Sequence, residues 1–223
     1  ITDLEIANLV LDNVVIDLSN RVSAATVRDN IIHNSDAQVQ IAFNGGTFLA
    51  EGNILLREEP WNNGSGVHHS PSRGISLYKT VDTEITGNII GGLTRNGENS
   101  TVYTAALRAR MEAFANANPD IDLYDSGHYT TNIKIPNQNT EITIDRNMIV
   151  GAPENDFDRD HAIYAGGYEG LDVVSNYFAG FYNDASGGVK LRNGEDTYVY
   201  NNYFDDISLI TYTYDNHARA GFE

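Results

Sequence analysis

The chain contains no cysteine, which excludes disulfide frameworks and thiolate metal sites and leaves the cellular compartment open. Basic residues are scarce, with 14 Lys and Arg against 31 Asp and Glu, and the net charge is −17. Blanket electrostatic binding to nucleic acid or to an anionic membrane is therefore not expected. On so acidic a background, a local cluster of basic side chains is informative.

Long apolar runs are also missing, and none approaches the length of a membrane span. The chain begins at Ile1 without a methionine or a signal peptide, so we expect a mature or trimmed product. A length of 223 residues suits a single domain, 1–223, with an ample core. Gly, Asn, Asp, Ser, Thr and Tyr are abundant, which indicates a turn-rich β protein that handles polar ligands.

An asparagine followed by two apolar residues recurs along the chain. The copies begin at Asn8, Asn30, Asn53, Asn88, Asn147, Asn176 and Asn202. From the second copy onward the Asn follows a candidate strand by 12 to 14 residues, whereas neighbouring copies are 22 to 59 residues apart. Insertions therefore fall in one part of each repeat, as in a solenoid of stacked coils. We predict an all-β, right-handed, single-stranded parallel β-helix of about seven coils, in which the Asn residues stack as scaffold.

One interval between repeats contains a helical pattern. Leu107, Met111 and Phe114 follow one another at spacings of 4 and 3 in an alanine-rich stretch that ends before Pro119. We predict a helical insertion over residues 101–120, above the coil stack, which serves either as a lid or as a buttress.

Strand cores alternate apolar and polar residues with a period of two, so their second and fourth residues should point outward. They begin at Ile41, Ile75, Ile133, Ile163, Val189 and Ile210. Equivalent positions of stacked parallel strands lie about 4.8 Å apart. Lys134, Tyr164 and Lys190 are thus predicted on consecutive rungs of one outward column, with Arg192 beside Lys190.

This column predicts a cationic groove around a tyrosine. We assign Lys190 and Tyr164 to its centre, and the residues expected to line it for substrate binding are Arg192, Lys134, His161, Tyr78 and Arg73. Adjacent cations lower lysine pKa values, which favours a functional site. The plain alternative is a solvated sheet face whose lysines pair with carboxylates such as Asp158, Asp160 or Glu195.

Such a site suits β-elimination in a uronate polymer. The reaction needs a cation on the carboxylate, a base for the α proton and an acid for the leaving oxygen. Arginine binds carboxylates bidentately, and a lysine among cations is partly neutral. We predict Lys190 as the base and Tyr164 as the acid. Reversed roles, or both roles on Tyr164, are the alternatives.

The Asn-led coils and the outward Lys, Tyr and Arg rungs resemble the parallel β-helix polysaccharide lyases of the pectate-lyase-like superfamily. The short chain and the segment Val-Lys-Leu-Arg-Asn-Gly at 189–194 are most similar to small alginate lyases of polysaccharide lyase family 31. The resemblance implies a secreted bacterial enzyme that cleaves a uronate polymer such as mannuronate-rich alginate, with Lys190 and Tyr164 at the base and acid positions. Two family patterns are missing, the aspartate cluster of calcium-dependent pectate lyases and the Asp-Pro-His run of alginate epimerases.

We expect no metal or other cofactor, because basic groups stand where calcium would need converging carboxylates. Calcium at the 156–160 loop is the alternative. The expected partner is an anionic polysaccharide, with no nucleic acid, no membrane and a monomeric chain. One rival function is a β-helix glycoside hydrolase, which needs paired carboxylates. The carboxylates available for it are Asp156, Asp158, Asp160 and Asp184. The other rival is a non-catalytic, tailspike-like solenoid whose outward tyrosines stack on sugars.

Overall fold

The fold is built almost entirely from parallel strands. The computed structural model describes residues 1–19, 22–33, 38–58, 72–129, 131–136, 138–151, 161–181, 188–205, 207, 209–212 and 220–222. The strands are β1 Leu4–Ala7, β2 Val10–Asp12, β3 Ile16–Leu18, β4 Ala24–Arg28, β5 Ile31–His33, β6 Val39–Glu51, β7 Ile54–Leu56, β8 Arg73–Thr86, β9 Ile89–Ile90, β10 Thr131–Ile135, β11 Asn139–Asp145, β12 Met148–Val150, β13 His161–Gly166, β14 Tyr168–Val174, β15 Tyr177–Ala179, β16 Val189–Arg192, β17 Glu195–Tyr200, β18 Tyr203–Asp205, β19 Leu209–Tyr212 and β20 Ala220–Phe222. A 3₁₀ helix, Gly97–Asn99, and an α-helix, α1 Ala105–Ala117, lie between β9 and β10.

The strands form two parallel sheets, a first sheet of 13 strands and a second of 7. Each strand pairs with its equivalent in the neighbouring repeats, so strands adjacent in a sheet are far apart in sequence. The first sheet has two strand segments per repeat, and β6 and β8 run through both of them. The predicted all-β class, with parallel strands and one α-helix, is therefore confirmed.

The first segments of the repeats form a continuous row. They are β3, the first half of β6, the first half of β8, β10, β13, β16 and β19. Their inward residues are buried, as at Ile75, Ile133 and Ile163, and the residues between them are only partly covered. The period of two in the sequence is thus the in-and-out alternation of this row.

The repeated asparagines form a buried ladder. From Asn53 onward, each ladder side chain accepts a hydrogen bond from the backbone N–H of the Asn in the preceding repeat, at 2.8 to 3.1 Å. The ladder consists of Asn30, Asn53, Asn88, Asn147, Asn176 and Asn202. Each of these side chains also donates to a backbone carbonyl at the end of a second segment, so the ladder satisfies buried polar groups. The predicted stacking is confirmed for these six positions.

The first copy of the motif is offset by one residue. Val10 pairs with Ile31, so Leu9 and not Asn8 stands opposite Asn30, and the Leu9 N–H donates to the Asn30 side chain. Asn8 has a φ of 59° and occupies the turn, a left-handed conformation that Asn tolerates well. The assignment of Asn8 to the repeated position was therefore wrong.

From Asn30 to Asn176, the two apolar residues after each ladder Asn serve two different cores. One of them lies in the core between the sheets, as Leu55, Ile90 and Ile149 do. The other lies on the outer face of the second sheet, as Ile54 and Ile89 do, under the connection that contains α1. Burial on both faces explains why both positions are apolar.

Helix α1 lies within the predicted 101–120 insertion. It begins after Thr104, whose side chain accepts from the Leu107 N–H. Its apolar stripe, including Met111 and Phe114, is buried with the outer face of the second sheet. Arg110 donates to the Gly52 and Asn30 carbonyls, and so fastens the helix to the turns of the ladder. The helix is therefore placed as a buttress for the second sheet.

No helix among the described residues is long and apolar enough to cross a membrane.

Candidate functional site

The outward column of the first segments carries the candidate site. Lys134 pairs with Ser76 on one side and with Tyr164 on the other, and Tyr164 pairs with Lys190. Half-buried Lys134, Tyr164 and Lys190 thus stand on consecutive rungs, as the sequence predicted. Because adjacent strands are hydrogen-bonded, the Cα atoms of Lys134 and Tyr164, and those of Tyr164 and Lys190, are about 5 Å apart.

The last rung differs from the prediction. Lys190 pairs with Ile210, and Arg192 pairs with Tyr212. The predicted alignment placed Thr211 and Thr213 at these positions, and it was therefore one residue out of register. Leu209, not Ile210, pairs with the inward Val189, and Thr213 lies outside the described residues.

Tyr164 is the centre of the cluster. The Arg192 Nη1 donates to the Tyr164 hydroxyl oxygen at 2.8 Å. The Lys134 Nζ lies 3.2 Å from the centroid of the tyrosine ring, and the Lys190 Nζ lies 5.5 Å from it. Cations over a tyrosine face are attracted by its quadrupole. A phenol oxygen that accepts from a guanidinium is well placed to carry negative charge when its proton moves to a substrate.

His161 and Arg73 lie beside this centre. Each stands three residues earlier in its strand than the outward column that contains Tyr164. Arg73 pairs with Thr131, which pairs with His161, so the three lie side by side. The His161 ring centroid is 5.5 Å from that of Tyr164, and the side chain is almost fully buried. Burial lowers the pKa of Arg73 from its ordinary value.

Lys134 is the most perturbed base of the cluster. Burial is the largest cause, and the nearby positive charges of Arg73, Arg192 and Lys190 act in the same direction. Together they lower the pKa of Lys134 to about 8. A substantial fraction of this side chain is consequently a neutral amine near physiological pH, which a proton-accepting role requires.

Sequence reasoning assigned the base to Lys190 and treated Lys134 only as a groove cation. The structure gives Lys134 the closer approach to Tyr164 and the lowered pKa. Burial of an outward lysine depends on packing between residues far apart in the sequence, so the alternation pattern carried no signal for it.

Tyr78 lies on the same outward face, two repeats from Tyr164. It pairs with Asn44, its side chain is 41% exposed, and the Lys79 Nζ lies 5.1 Å from its ring centroid. Lys79 was not singled out in the sequence.

The carboxylates considered for a hydrolase or for calcium do not belong to the described part of this cluster. Asp156, Asp158, Asp160 and Asp184 all lie outside the described residues. Within the part of the chain that the structure describes, no group of three or more His, Asp and Glu side chains is arranged to hold a metal ion. Asp17 shares the column of Lys134, but Ala42 and Ser76 separate the two.

The site is thus Tyr164 with Arg192, Lys134 and Lys190 around its hydroxyl and ring, and with Arg73 and His161 nearby, in a protein of strongly negative net charge. Comparison of the chain with protein-family models, with curated proteins and with solved structures finds no match.

Proposed function

We propose that the protein is a polysaccharide lyase that cleaves an anionic uronate polymer, such as mannuronate-rich alginate, by β-elimination. The observation that carries the proposal is the hydrogen bond from Arg192 to the Tyr164 hydroxyl, inside a cluster of cations. This arrangement provides a proton-transfer group and carboxylate-binding groups within reach of one sugar.

The proposed architecture is a right-handed, single-stranded parallel β-helix of about seven coils. Three features support it: the repeat-to-repeat pairing of both sheets, the buried Asn ladder, and the placement of the variable intervals between the second sheet and the next first segment. A β-helix presents equivalent positions of successive coils as columns, and an extended polymer can lie along such columns. A secreted, monomeric bacterial enzyme fits this substrate.

In the proposed reaction, the bond between the α carbon and its hydrogen breaks, and its electron pair forms the new carbon–carbon double bond. The bond from the β carbon to the glycosidic oxygen breaks, and that oxygen takes a proton. Arg73 and Arg192 neutralise the carboxylate, which stabilises negative charge that develops next to it. Tyr164 donates its phenolic proton to the glycosidic oxygen, and the amine of Lys190, or of the partly neutral Lys134, takes the α proton.

The test of the reaction is a panel of alginate, pectate and glycosaminoglycans, followed by the ultraviolet absorbance of the unsaturated uronate. Only elimination creates this chromophore. We expect Tyr164→Phe to lower kcat by roughly a hundred- to ten-thousand-fold, as removal of a proton-transfer group does. Tyr198→Phe is the matched control, since Tyr198 is exposed on β17. A Tyr164→Phe enzyme that keeps more than about a tenth of wild-type kcat, a loss below about 1.4 kcal/mol, contradicts the role of Tyr164.

A non-catalytic saccharide-binding protein is the second candidate. The observation that favours it is the number of exposed tyrosines, because tyrosine faces pack against sugar rings. They are Tyr78, Tyr124, Tyr198, Tyr200 and Tyr203. Polymer binding without any product, unsaturated or reducing, supports this candidate. New reducing ends without the chromophore indicate a glycoside hydrolase instead.

A further inference from the structure

An exposed aromatic and an exposed cation stand together on the outward face, and the aromatic, Tyr78, lies in the same column as Arg192. Tyr78 and Lys79 follow one another in β8, with the Lys79 Nζ 5.1 Å from the Tyr78 ring centroid. Tyr78 shares the outward face of Ser76, which pairs with Lys134. The pair is therefore on the same face as the Tyr164 cluster, and Tyr78 is two rungs and two residues, about 12 Å, from Tyr164.

Residues without long side chains lie between Arg192 and Tyr78 in their column. Arg192 pairs with Gly166 on the next rung, and the pairing of Ile135 with Ala165 sets Pro136 beside Gly166. The pairing of Lys134 with Ser76 sets Pro136 beside Tyr78 in turn. Arg192 and Tyr78 are about 14 Å apart over three rungs, and the two residues between them in this column are a glycine and a proline. This interval is longer than a single sugar residue.

The backbone at Lys79 is unusual for a lysine. Lys79 has a φ of 54°, in the left-handed region that is costly for most side chains. The register of β6 with β8 places Gly45 at the same turn position, and that of β13 with β16 aligns Gly167 with Asn193. Those three residues also have positive φ, but glycine and asparagine tolerate it. A lysine at this position therefore costs some stability relative to glycine, as Gln138, Glu141 and Arg146 do at other positions of positive φ.

We propose that Tyr78 and Lys79 form a distal subsite that binds a uronate residue of the same polysaccharide chain, away from the bond that is cleaved. The sugar ring packs on the tyrosine face, and its carboxylate pairs with the Lys79 ammonium. The inference rests on the proposed function for the class of polymer, but it does not require cleavage.

The test measures binding of uronate oligosaccharides of increasing length by calorimetry, in a Tyr164→Phe background that prevents turnover. Tyr78→Ala is expected to weaken binding of long fragments roughly three- to tenfold, which is what an aromatic contact contributes, and to leave the shortest fragments unaffected. Lys79→Gly is expected to weaken the binding of long fragments to the same extent. The melting temperature of this variant should stay equal or rise, because glycine prefers this φ. Val81→Ala is the control for loss of an exposed apolar side chain elsewhere on β8.

The outcomes separate this subsite from the lyase activity. Equal losses at every length, or no loss at any length, overturn the subsite. If the wild-type protein produces no unsaturated uronate but Tyr78→Ala still loses long-fragment binding, the subsite stands and the lyase falls. If elimination occurs and Tyr78→Ala binds all fragments like its parent, the lyase stands and the subsite falls. A protein that binds none of the fragments overturns both.

Discussion

At the scale of single residues, the charged form of Lys134 lowers the free energy of unfolding. Its pKa is lowered to about 8 from an ordinary value of 10.5, first by burial and then by Arg73, Arg192 and Lys190. Between these two pH values the unfolded chain binds more protons than the folded one, so this group makes the free energy of unfolding rise with pH. Below about pH 8 the folded protein holds a partly buried charge among like charges, which destabilises it.

We therefore predict that Lys134→Met stabilises the fold at neutral pH, by about 1 kcal/mol after allowance for its partial exposure and for the lost contact with Tyr164. The gain should shrink as pH rises from about 8 toward 10.5. Urea unfolding across this interval measures it. Lys79→Met, at an exposed lysine, is the control and should show no such trend. A Lys134→Met protein that is less stable than wild type at neutral pH contradicts the prediction.

The same lowered pKa gives a second prediction, for the reaction. If Lys134 accepts the proton, kcat/KM should increase with pH through about 8 as the amine becomes neutral. Lys134→Arg keeps the positive charge but cannot deprotonate, so it should remove this rise and lower kcat. A pH profile of the variant that keeps the rise would transfer the role to Lys190 or Tyr164.

At the scale of elements, α1 is held by one arginine as well as by its apolar stripe. Arg110 donates to the carbonyls of Gly52 and Asn30 and to the carboxylate of Asp29, so its loss removes three hydrogen bonds of a charged group between the helix and the turns of the ladder. Hydrogen bonds to charged groups contribute about 1.5–3 kcal/mol. Arg110→Met should therefore lower the free energy of unfolding by about that amount. Arg108, at an exposed position of the same helix, contacts only its own connection, through the Glu98 carbonyl and the Tyr103 ring, among its described contacts. Arg108→Met should therefore cost clearly less, and equal losses in urea unfolding would contradict this anchoring.

The elements also show where the sequence was sufficient. The period of two and the near-constant interval before each Asn fixed the pairing of Lys134, Tyr164 and Lys190, because inward apolar residues determine register. The same two features predicted the wrong register for the last repeat. Leu209 and Ile210 are both apolar, so the apolar pattern fits either residue opposite Val189. Which lysine is buried depends on long-range packing, so neither the lowered pKa of Lys134 nor the contact between Arg192 and the Tyr164 hydroxyl could be read from spacing.

At the scale of the whole molecule, the ladder joins the repeats through a chain of buried hydrogen bonds. Asn88 is fully buried in its interior: it donates to the Ala50 and Thr86 carbonyls and to Asn147, and it accepts from the backbone and side chain of Asn53. Asn202 occupies the equivalent position in the last described strand pair of the second sheet and is only partly buried. When repeats are stabilised mainly by their neighbours, loss of an interior ladder side chain weakens the coupling between the repeats on its two sides.

We therefore predict that the cost of removing a ladder side chain depends on its position in the stack. Asn88→Ala leaves several buried groups unsatisfied and should lower the free energy of unfolding by about 3–5 kcal/mol. Asn202→Ala should cost about 1 kcal/mol, because water can replace part of its bonds. Asn8→Gly, in the left-handed turn outside the ladder, should be nearly neutral. In urea unfolding the interior variant should also show a smaller m value, because the two halves then unfold less cooperatively. Similar losses for Asn88→Ala and Asn202→Ala would mean that the ladder does not couple the repeats.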